Sequence, residues 1–392
     1  MKIVFLCNNF KSLNGVERAW SQKLSLLAEH PGDHVYLITY NQYGAPLSFQ
    51  ISDKVHHIDL ATRYISRCSF HGLYQYVDRY KSERSFRKKL NQTLEHLSPD
   101  IIVCADMHVS DLRAVLFSSV HAVRIVECHC GRAGYYEDIK RFSRPVKRLK
   151  EWILKQQLLS AIRKFDKVVV MTEAEKVDWN LKDKVVCIPN MLVAFPDQEP
   201  DTVHIQKRVI SVGRYAYPKG YDMLLQSWLI VQKTHPDWSL HIYGSHDGSV
   251  GEYDQLQQQI RQHHIDNVIL HQSTNDIYTC YAKSDFYVMS SRYESFGLVL
   301  IEAMSCGLPV ISFDCRYGPP SIIQNGETGV LVPHHDITKM ALAICSMIEH
   351  DEQRQRMAVN ARRASKTFLA ENIMPVWHSF YESLVISHSI EP

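Results

Sequence analysis

The chain has 392 residues, of which 45% are hydrophobic and 22% charged, with a formal net charge of +2 at pH 7. This balance excludes a disordered chain, a collagen-like repeat and a disulfide-stapled miniprotein, and the length suits two domains of roughly 150–200 residues each. The small net charge hides an asymmetry, because residues 1–190 carry 29 Lys and Arg against 20 Asp and Glu, while residues 191–392 carry 15 against 22. A basic first half suits an anionic partner: nucleic acid, an anionic membrane or a phosphorylated acceptor.

In chain order, Ile3–Cys7 reads as a buried strand and Glu17–Glu29 as a helix, with Trp20, Leu24 and Leu27 four and three residues apart. Val35–Tyr40, Ile101–Cys104, Val123–Cys128 and Val168–Met171 are further apolar strands. Around Pro189 the rhythm breaks, and residues 191–207, with Pro196, Asp197 and Pro200, read as a linker. The pattern restarts with strands at Arg208–Val212, Leu240–Tyr243, Val268–His271, Phe286–Met289, Val310–Phe313 and Val330–Val332. Continuous apolar strands separated by helices predict parallel sheets covered on both faces. The expected architecture is α/β: two doubly wound domains, 1–190 and 208–370, with a ligand crevice at the carboxyl ends of the strands. A last helix near Ile373–Leu384, within 371–392, is expected to return to the first domain.

The ten cysteines are scattered, which suits a reducing compartment. The apolar run Ile3–Cys7 is too short for a signal-peptide core, and no stretch reaches the roughly 18 apolar residues of a spanning helix. The expected location is the cytoplasm, including the inner face of the membrane.

Several strand ends carry chemistry. Gly213 closes a strand and is followed by Arg214 and, before a helix at Tyr221, by Lys219; an arginine fork and a lysine point charge suit a diphosphate. Two solvated surface cations are the competing reading. Next comes Glu294-Ser295-Phe296-Gly297-Leu298-Val299-Leu300-Ile301-Glu302. Glu302 stands in an apolar stretch, about two turns into a helix with Glu294 at its mouth, and the amides before that helix suit phosphate or sugar oxygens. A capping Glu and a core salt bridge are the competing reading. Asn14 and Gly15 open the first helix, where a glycine backbone admits close approach of a phosphate; an ordinary turn is equally consistent. His129 follows the strand 123–128 and suits a sugar hydroxyl or a structural role. Cys128-His129-Cys130 fits no structural zinc spacing. Gly318-Pro319-Pro320-Ser321 reads as turn chemistry, structural or ligand-facing. Lys140–Lys164 holds nine cations against one acid, with Trp152, Ile153 and Leu154 interleaved, and Arg79–Lys89 adds six cations and one acid. A basic amphipathic helix of this kind suits an anionic bilayer, or equally a solvated helix packed on its domain; no nucleic-acid motif accompanies the charge.

Together these motifs resemble glycosyltransferase family 4, retaining enzymes of the GT-B fold, whose two Rossmann-like domains face each other across a cleft. The resemblance covers most of the second half, including Cys306-Gly307-Leu308-Pro309 and Asn325-Gly326-Glu327-Thr328-Gly329; the first half matches through Asn14-Gly15-Val16-Glu17-Arg18 and His129. It implies that Arg214 and Lys219 bind the donor diphosphate and that Glu294 contacts the transferred sugar. Phe296, Gly297, Leu298 and Val299 would hold sugar and phosphate, and Glu302 the ribose hydroxyls. Gly15 and Gly213 would approach the diphosphate, and His129 would lie near sugar and acceptor. The family often has Glu where this chain has Ser321. The implied activity moves a hexose or N-acetylhexosamine from a nucleotide diphosphate sugar, UDP-sugar favoured, to a glycan or lipid-linked acceptor in cell-surface polysaccharide or lipopolysaccharide synthesis. No Asp-x-Asp occurs, so no metal and no other cofactor is expected. A sugar-nucleotide epimerase or phosphorylase of the same fold and a non-catalytic nucleotide- or membrane-binding scaffold are the alternatives.

Overall fold

The computed structural model describes residues 1–11, 15–62, 73–106, 109–132, 134, 145–192, 194–197, 205–245 and 251–390. The chain divides into two compact units, one formed by Met1–Pro189 with Glu371–Pro392 and the other by Asn190–Ala370. Each unit is a parallel sheet with helices.

The first unit holds seven strands in the order β3-β2-β1-β4-β5-β6-β7. They are β1 (Lys2–Cys7), β2 (His34–Thr39), β3 (His56–Asp59), β4 (Ile101–Ala105), β5 (Val123–Glu127), β6 (Lys167–Val170) and β7 (Val185–Cys187). The central strands are mostly apolar because helices cover both faces: Ile3, Val4 and Phe5 in β1 and Ile101–Val103 in β4 are fully buried. The sequence pattern did not announce β3 and β7. Both are short edge strands, and His56-His57-Ile58-Asp59 is too polar to read as core.

Helices α1 (Gly15–Glu29), α2 (Leu73–Leu97), α3 (Val109–Leu116), α4 (Pro145–Ile162) and α5 (Glu173–Trp179) follow in this unit. The second unit holds six strands in the order β10-β9-β8-β11-β12-β13. They are β8 (Arg208–Val212), β9 (Ser239–Gly244), β10 (Val268–Gln272), β11 (Phe286–Met289), β12 (Val310–Phe313) and β13 (Gly329–Val332). Its helices are α6 (Tyr221–Thr234), α7 (Glu252–Gln262), α8 (Ile277–Ala282), α9 (Leu298–Ser305), α10 (Gly318–Ile322), α11 (Ile337–Glu349) and α12 (Asp351–Ser365). The segment read as a turn at Gly318-Pro319-Pro320 is thus a short helix, because proline tolerates a first helical turn.

The last helix, α13 (Ala370–Ile390), packs on the first unit. The Lys23 ammonium of α1 lies 3.9 Å from the Trp377 ring centroid, and His388 stacks on His121 at 4.0 Å. Among the described residues no helix is long and apolar enough to cross a membrane.

Both sheets reverse direction of growth once, between β1 and β4 and between β8 and β11. At such a switch point the loops leaving the two central strands diverge and open a ligand crevice at the carboxyl ends. In the second unit those loops begin at Gly213 and Ser290; in the first, Cys7 and Asp106 mark the equivalent ends.

Candidate active site

The loop after β8 and the loop after β11 are in backbone contact. A 3₁₀ turn at Tyr217–Lys219 ends at Gly220, whose φ of +63° is left-handed and starts α6. A Cβ at Gly220 would overlap the carbonyl oxygen of Ser290, so this position needs glycine both for its dihedral and for the approach. The Ser290 hydroxyl donates to the Lys219 carbonyl at 2.9 Å. Gly213 is constrained from the other side, because a Cβ there would lie 2.9 Å from the Tyr221 phenol oxygen and 3.2 Å from the Lys219 side chain.

On this base the Lys219 ammonium pairs with Glu294, which also accepts the Ser291 hydroxyl at 2.9 Å. The Lys219 and Glu294 side chains are 21% and 12% exposed, so the pair sits at the surface of the crevice. Arg214 is exposed and forms no ion pair among the described residues. The structure therefore brings Gly213, Arg214, Lys219 and Glu294 to one switch point.

Phe296 is buried, its ring 5.5 Å from and edge-on to Phe368. Gly297, at φ +98°, caps α9, and Leu298 and Val299 form the first helical turn, half-buried. Glu302 is the fifth residue of α9, counted from Leu298 after the Gly297 cap, and so little more than one turn in rather than two. Its carboxylate is 1% exposed and accepts the Tyr281 phenol at 3.4 Å. Tyr317 supports the far side of Glu294: it forms a parallel bridge with that residue, and Gly318 N–H donates to the Glu294 carbonyl at 3.3 Å. Tyr317 holds φ +82° and ψ −82°, a conformation that costs a non-glycine residue about 1–3 kcal/mol and persists only where packing imposes it. Ser321 is exposed, and its hydroxyl turns back to the Gly318 carbonyl at 2.6 Å.

One member escaped the sequence reading. Arg292 donates to both Asp222 carboxylate oxygens, at 2.9 and 2.6 Å, and to the Tyr217 carbonyl at 2.8 Å. Its guanidinium lies 4.1 Å from the Tyr217 ring centroid, and its backbone N–H donates to the Pro218 carbonyl at 2.7 Å. Arg292 thus ties the loop after β11 to the turn that carries Lys219. Its partner lies 70 residues away, a separation no local pattern discloses.

In the first unit His129 sits after β5. Its backbone N–H donates to Asp106 at 3.0 Å, and its Nε2 lies 3.2 Å from Glu127. Glu127 is buried, accepts the Trp20 indole N–H at 2.9 Å and pairs with the buried Lys23 ammonium. Burial opposes its charge, but Lys23 and His129 hold its carboxyl down at about 2. His129 is therefore fixed by a buried carboxylate, and its side chain is only 5% exposed. Neither Lys23 nor Glu127 was a candidate from sequence, since they pair across 104 residues. Gly15, the first residue of α1, is exposed with open space around its Cβ position; Asn14 lies outside the described residues. Nearby, Glu175 accepts Arg132 N–H at 3.0 Å and the Trp179 indole at 3.3 Å; burial, with Asp106 adding to it, pushes its carboxyl up to about 8.

Residues 197–364 match the family model described as Glycosyl transferases group 1, so the second unit carries a domain of that kind. The whole chain is similar to an uncharacterized glycosyltransferase of Haemophilus influenzae, 28% identical over 96% of this chain and 98% of that protein. It is also similar to the amylovoran biosynthesis glycosyltransferase AmsD of Erwinia amylovora, 27% identical over 96% and 98%. Among solved structures, S. aureus TarM, crystallised with Fondaparinux, alpha-GlcNAc-glycerol and UDP, superposes with a TM-score of 0.75 at 17% identity, covering 97% of this chain and 99% of TarM. The expected pair of Rossmann-like domains of the GT-B fold is what the two parallel sheets and this likeness show.

Two outcomes are expected. Replacing Arg292 with Ala removes charge-assisted bonds from a half-buried site and lowers folding stability by about 1.5–3 kcal/mol in urea titrations; Arg292→Lys recovers little of it, having no planar fork. For Glu175, the folded chain keeps a proton up to about pH 8 that the unfolded chain releases near its ordinary 4.5. Stability therefore falls as pH rises through that window, and Glu175→Gln flattens the profile measured by urea unfolding at each pH.

Proposed function

We propose that this protein is a retaining glycosyltransferase of family 4 type. It moves a hexose or N-acetylhexosamine from a nucleotide diphosphate sugar, UDP-sugar favoured, to a glycan or lipid-linked acceptor of the cell surface. The observation that carries the proposal is the Lys219–Glu294 pair at the β8/β11 switch point, with the exposed Arg214 guanidinium on the same loop. The family match over residues 197–364, the UDP in the TarM crystal and the polysaccharide role named for AmsD support it.

The chemistry follows from charge. As the bond from the sugar to the diphosphate breaks, negative charge grows on the leaving oxygens, and Arg214 and Lys219 stabilise it without a metal. Fixed donors of this kind act chiefly on the transition state, where no reorganisation is needed. Glu294 orients Lys219 and accepts from hydroxyls of the bound sugar. Glu302 takes the ribose hydroxyls, and the amides of Phe296, Gly297, Leu298 and Val299 at the start of α9 hold sugar and phosphate oxygens. Gly213 leaves room for the diphosphate, and in the first unit Glu127 braces His129.

A lipid-linked acceptor also explains α4. Val146, Leu149 and Ile153 recur at i, i+3 and i+7 and are exposed, as is Trp152, while Leu158, Leu159 and Ile162 bury the following turn. Lys147, Arg148 and Lys150 are exposed beside that apolar face, which suits the surface of an anionic bilayer. Residues 140–144 of the basic stretch lie outside the described residues.

With donor and acceptor supplied and EDTA present, Lys219→Ala should lower turnover about 10²–10³-fold, as for loss of one oxyanion-stabilising donor, while its melting temperature stays near wild type. Near-normal turnover of the variant, or loss of wild-type activity in EDTA, would sink the metal-independent mechanism. The protein should sediment with vesicles rich in phosphatidylglycerol and not with phosphatidylcholine alone, and the double change Leu149→Glu, Trp152→Glu should release it. Equal sedimentation of the double variant would remove α4 from the membrane contact.

A further inference from the structure

At the end of the first unit away from His129, the turn that joins α1 to β2 meets α13. The turn is closed by the Asp33 N–H donating to the His30 carbonyl at 3.2 Å, and Gly32 supplies the left-handed φ of +86° that it needs. Asp33 points inward, its side chain 3% exposed. One carboxylate oxygen, Oδ1, accepts the Met1 ammonium at 2.8 Å. The other, Oδ2, is buried and makes no hydrogen bond among the described residues. His30 Nδ1 lies 3.3 Å from it and His378 Nδ1, of α13, lies 3.8 Å from it. His378 Nδ1 is also buried without a hydrogen bond. The two imidazole rings lie side by side, centroids 4.4 Å apart.

Buried polar atoms are almost always satisfied, so two orphaned ones facing each other call for a missing partner. All three donor atoms lie within 4.8 Å of one another. A tetrahedral ion with bonds of about 2.0–2.1 Å holds its ligands about 3.3–3.4 Å apart. The observed 3.3 and 3.8 Å spacings of the two imidazole nitrogens from the Asp33 carboxylate are close to that edge.

We propose that His30, Asp33 and His378 form a binding site for one divalent first-row transition cation, zinc foremost, that staples α13 to the turn before β2. Two imidazoles and one carboxylate suit zinc and disfavour calcium and magnesium, which take oxygen ligands. His30 is on the surface and leaves the fourth position to water. The Met1 ammonium on Oδ1 orients the carboxylate, as outer-shell partners of metal ligands do. The site lies at the amino ends of β1 and β2, whereas the His129 cluster lies at the carboxyl end of β5, so the role is structural. The staple is independent of the donor chemistry proposed above.

The test is a titration of the full-length, chelator-stripped protein with Zn(II) by calorimetry, and with Co(II) by visible absorption. One equivalent should bind, raise the melting temperature, and give the d–d bands of a tetrahedral nitrogen–oxygen complex without thiolate charge-transfer bands. His378→Ala and His30→Ala should each weaken binding by at least about 10-fold, the lower end of what even outer-shell changes cost, and the metal-dependent rise in melting temperature should vanish with them. The His30 variant changes a surface side chain and so keeps the test readable if His378→Ala unfolds. No binding, binding unchanged in both histidine variants, or Co(II) spectra dominated by thiolate bands would each overturn the proposal.

Discussion

The second unit depends on the approach of two backbones, Gly220 against the Ser290 carbonyl. That contact leaves no room for a side chain and sets the height of the Tyr217–Lys219 turn above the sheet. The charged side chains of the switch point are then built around it. The Ser290 hydroxyl holds the Lys219 carbonyl, Arg292 holds the carbonyl of Tyr217 and the carboxylate of Asp222, and Lys219 and Glu294 meet. The pattern repeats one loop further on, where a Cβ at Gly318 would overlap the Phe296 carbonyl and Tyr317 accepts an unfavourable backbone to bridge Glu294. Rigid scaffolding of this sort keeps a charged pair in one geometry, which a flexible loop would not.

The first unit solves a different problem. Its central polar feature is a carboxylate, Glu127, enclosed by Trp20, Lys23 and His129. A buried ion pair contributes little net stability after desolvation, but removing one partner leaves an uncompensated charge. The arrangement therefore fixes the orientation of His129 more than it stabilises the fold. The Trp377 ring of α13 covers the Lys23 ammonium, so the carboxyl-terminal helix completes the enclosure.

The fold was legible where burial is uniform. Arg208–Val212, Phe286–Met289 and Val310–Phe313 are largely apolar runs, and the structure places strands on those same residues. Two edge strands of the first sheet were not legible: β7 is only three residues long, and His56-His57-Ile58-Asp59 is polar and has no apolar run. The strand-end placement of Gly213, Arg214, Lys219 and Glu294 could be read because glycine, cation and acid stand out against apolar neighbours. Arg292 with Asp222 and Lys23 with Glu127 could not, since the partners stand 70 and 104 residues apart and no local pattern pairs them. The helix start after Gly297 could be read, and only the depth of Glu302 within that helix differs.

Lys219 and Glu294 are 75 residues apart, and β8 and β11 are neighbours only because β9 and β10 grow outward on the other side. Closing a loop of that length must precede any favourable contact across it, so the pair belongs to the late, non-local part of folding. During synthesis the Tyr217–Lys219 turn leaves the ribosome before Glu294 and waits, with the Lys219 ammonium unpaired, until β11 docks. A chain interrupted before Phe286 thus holds the strands β8, β9 and β10 but not the Lys219–Glu294 pair, so the pair forms only once the sheet does.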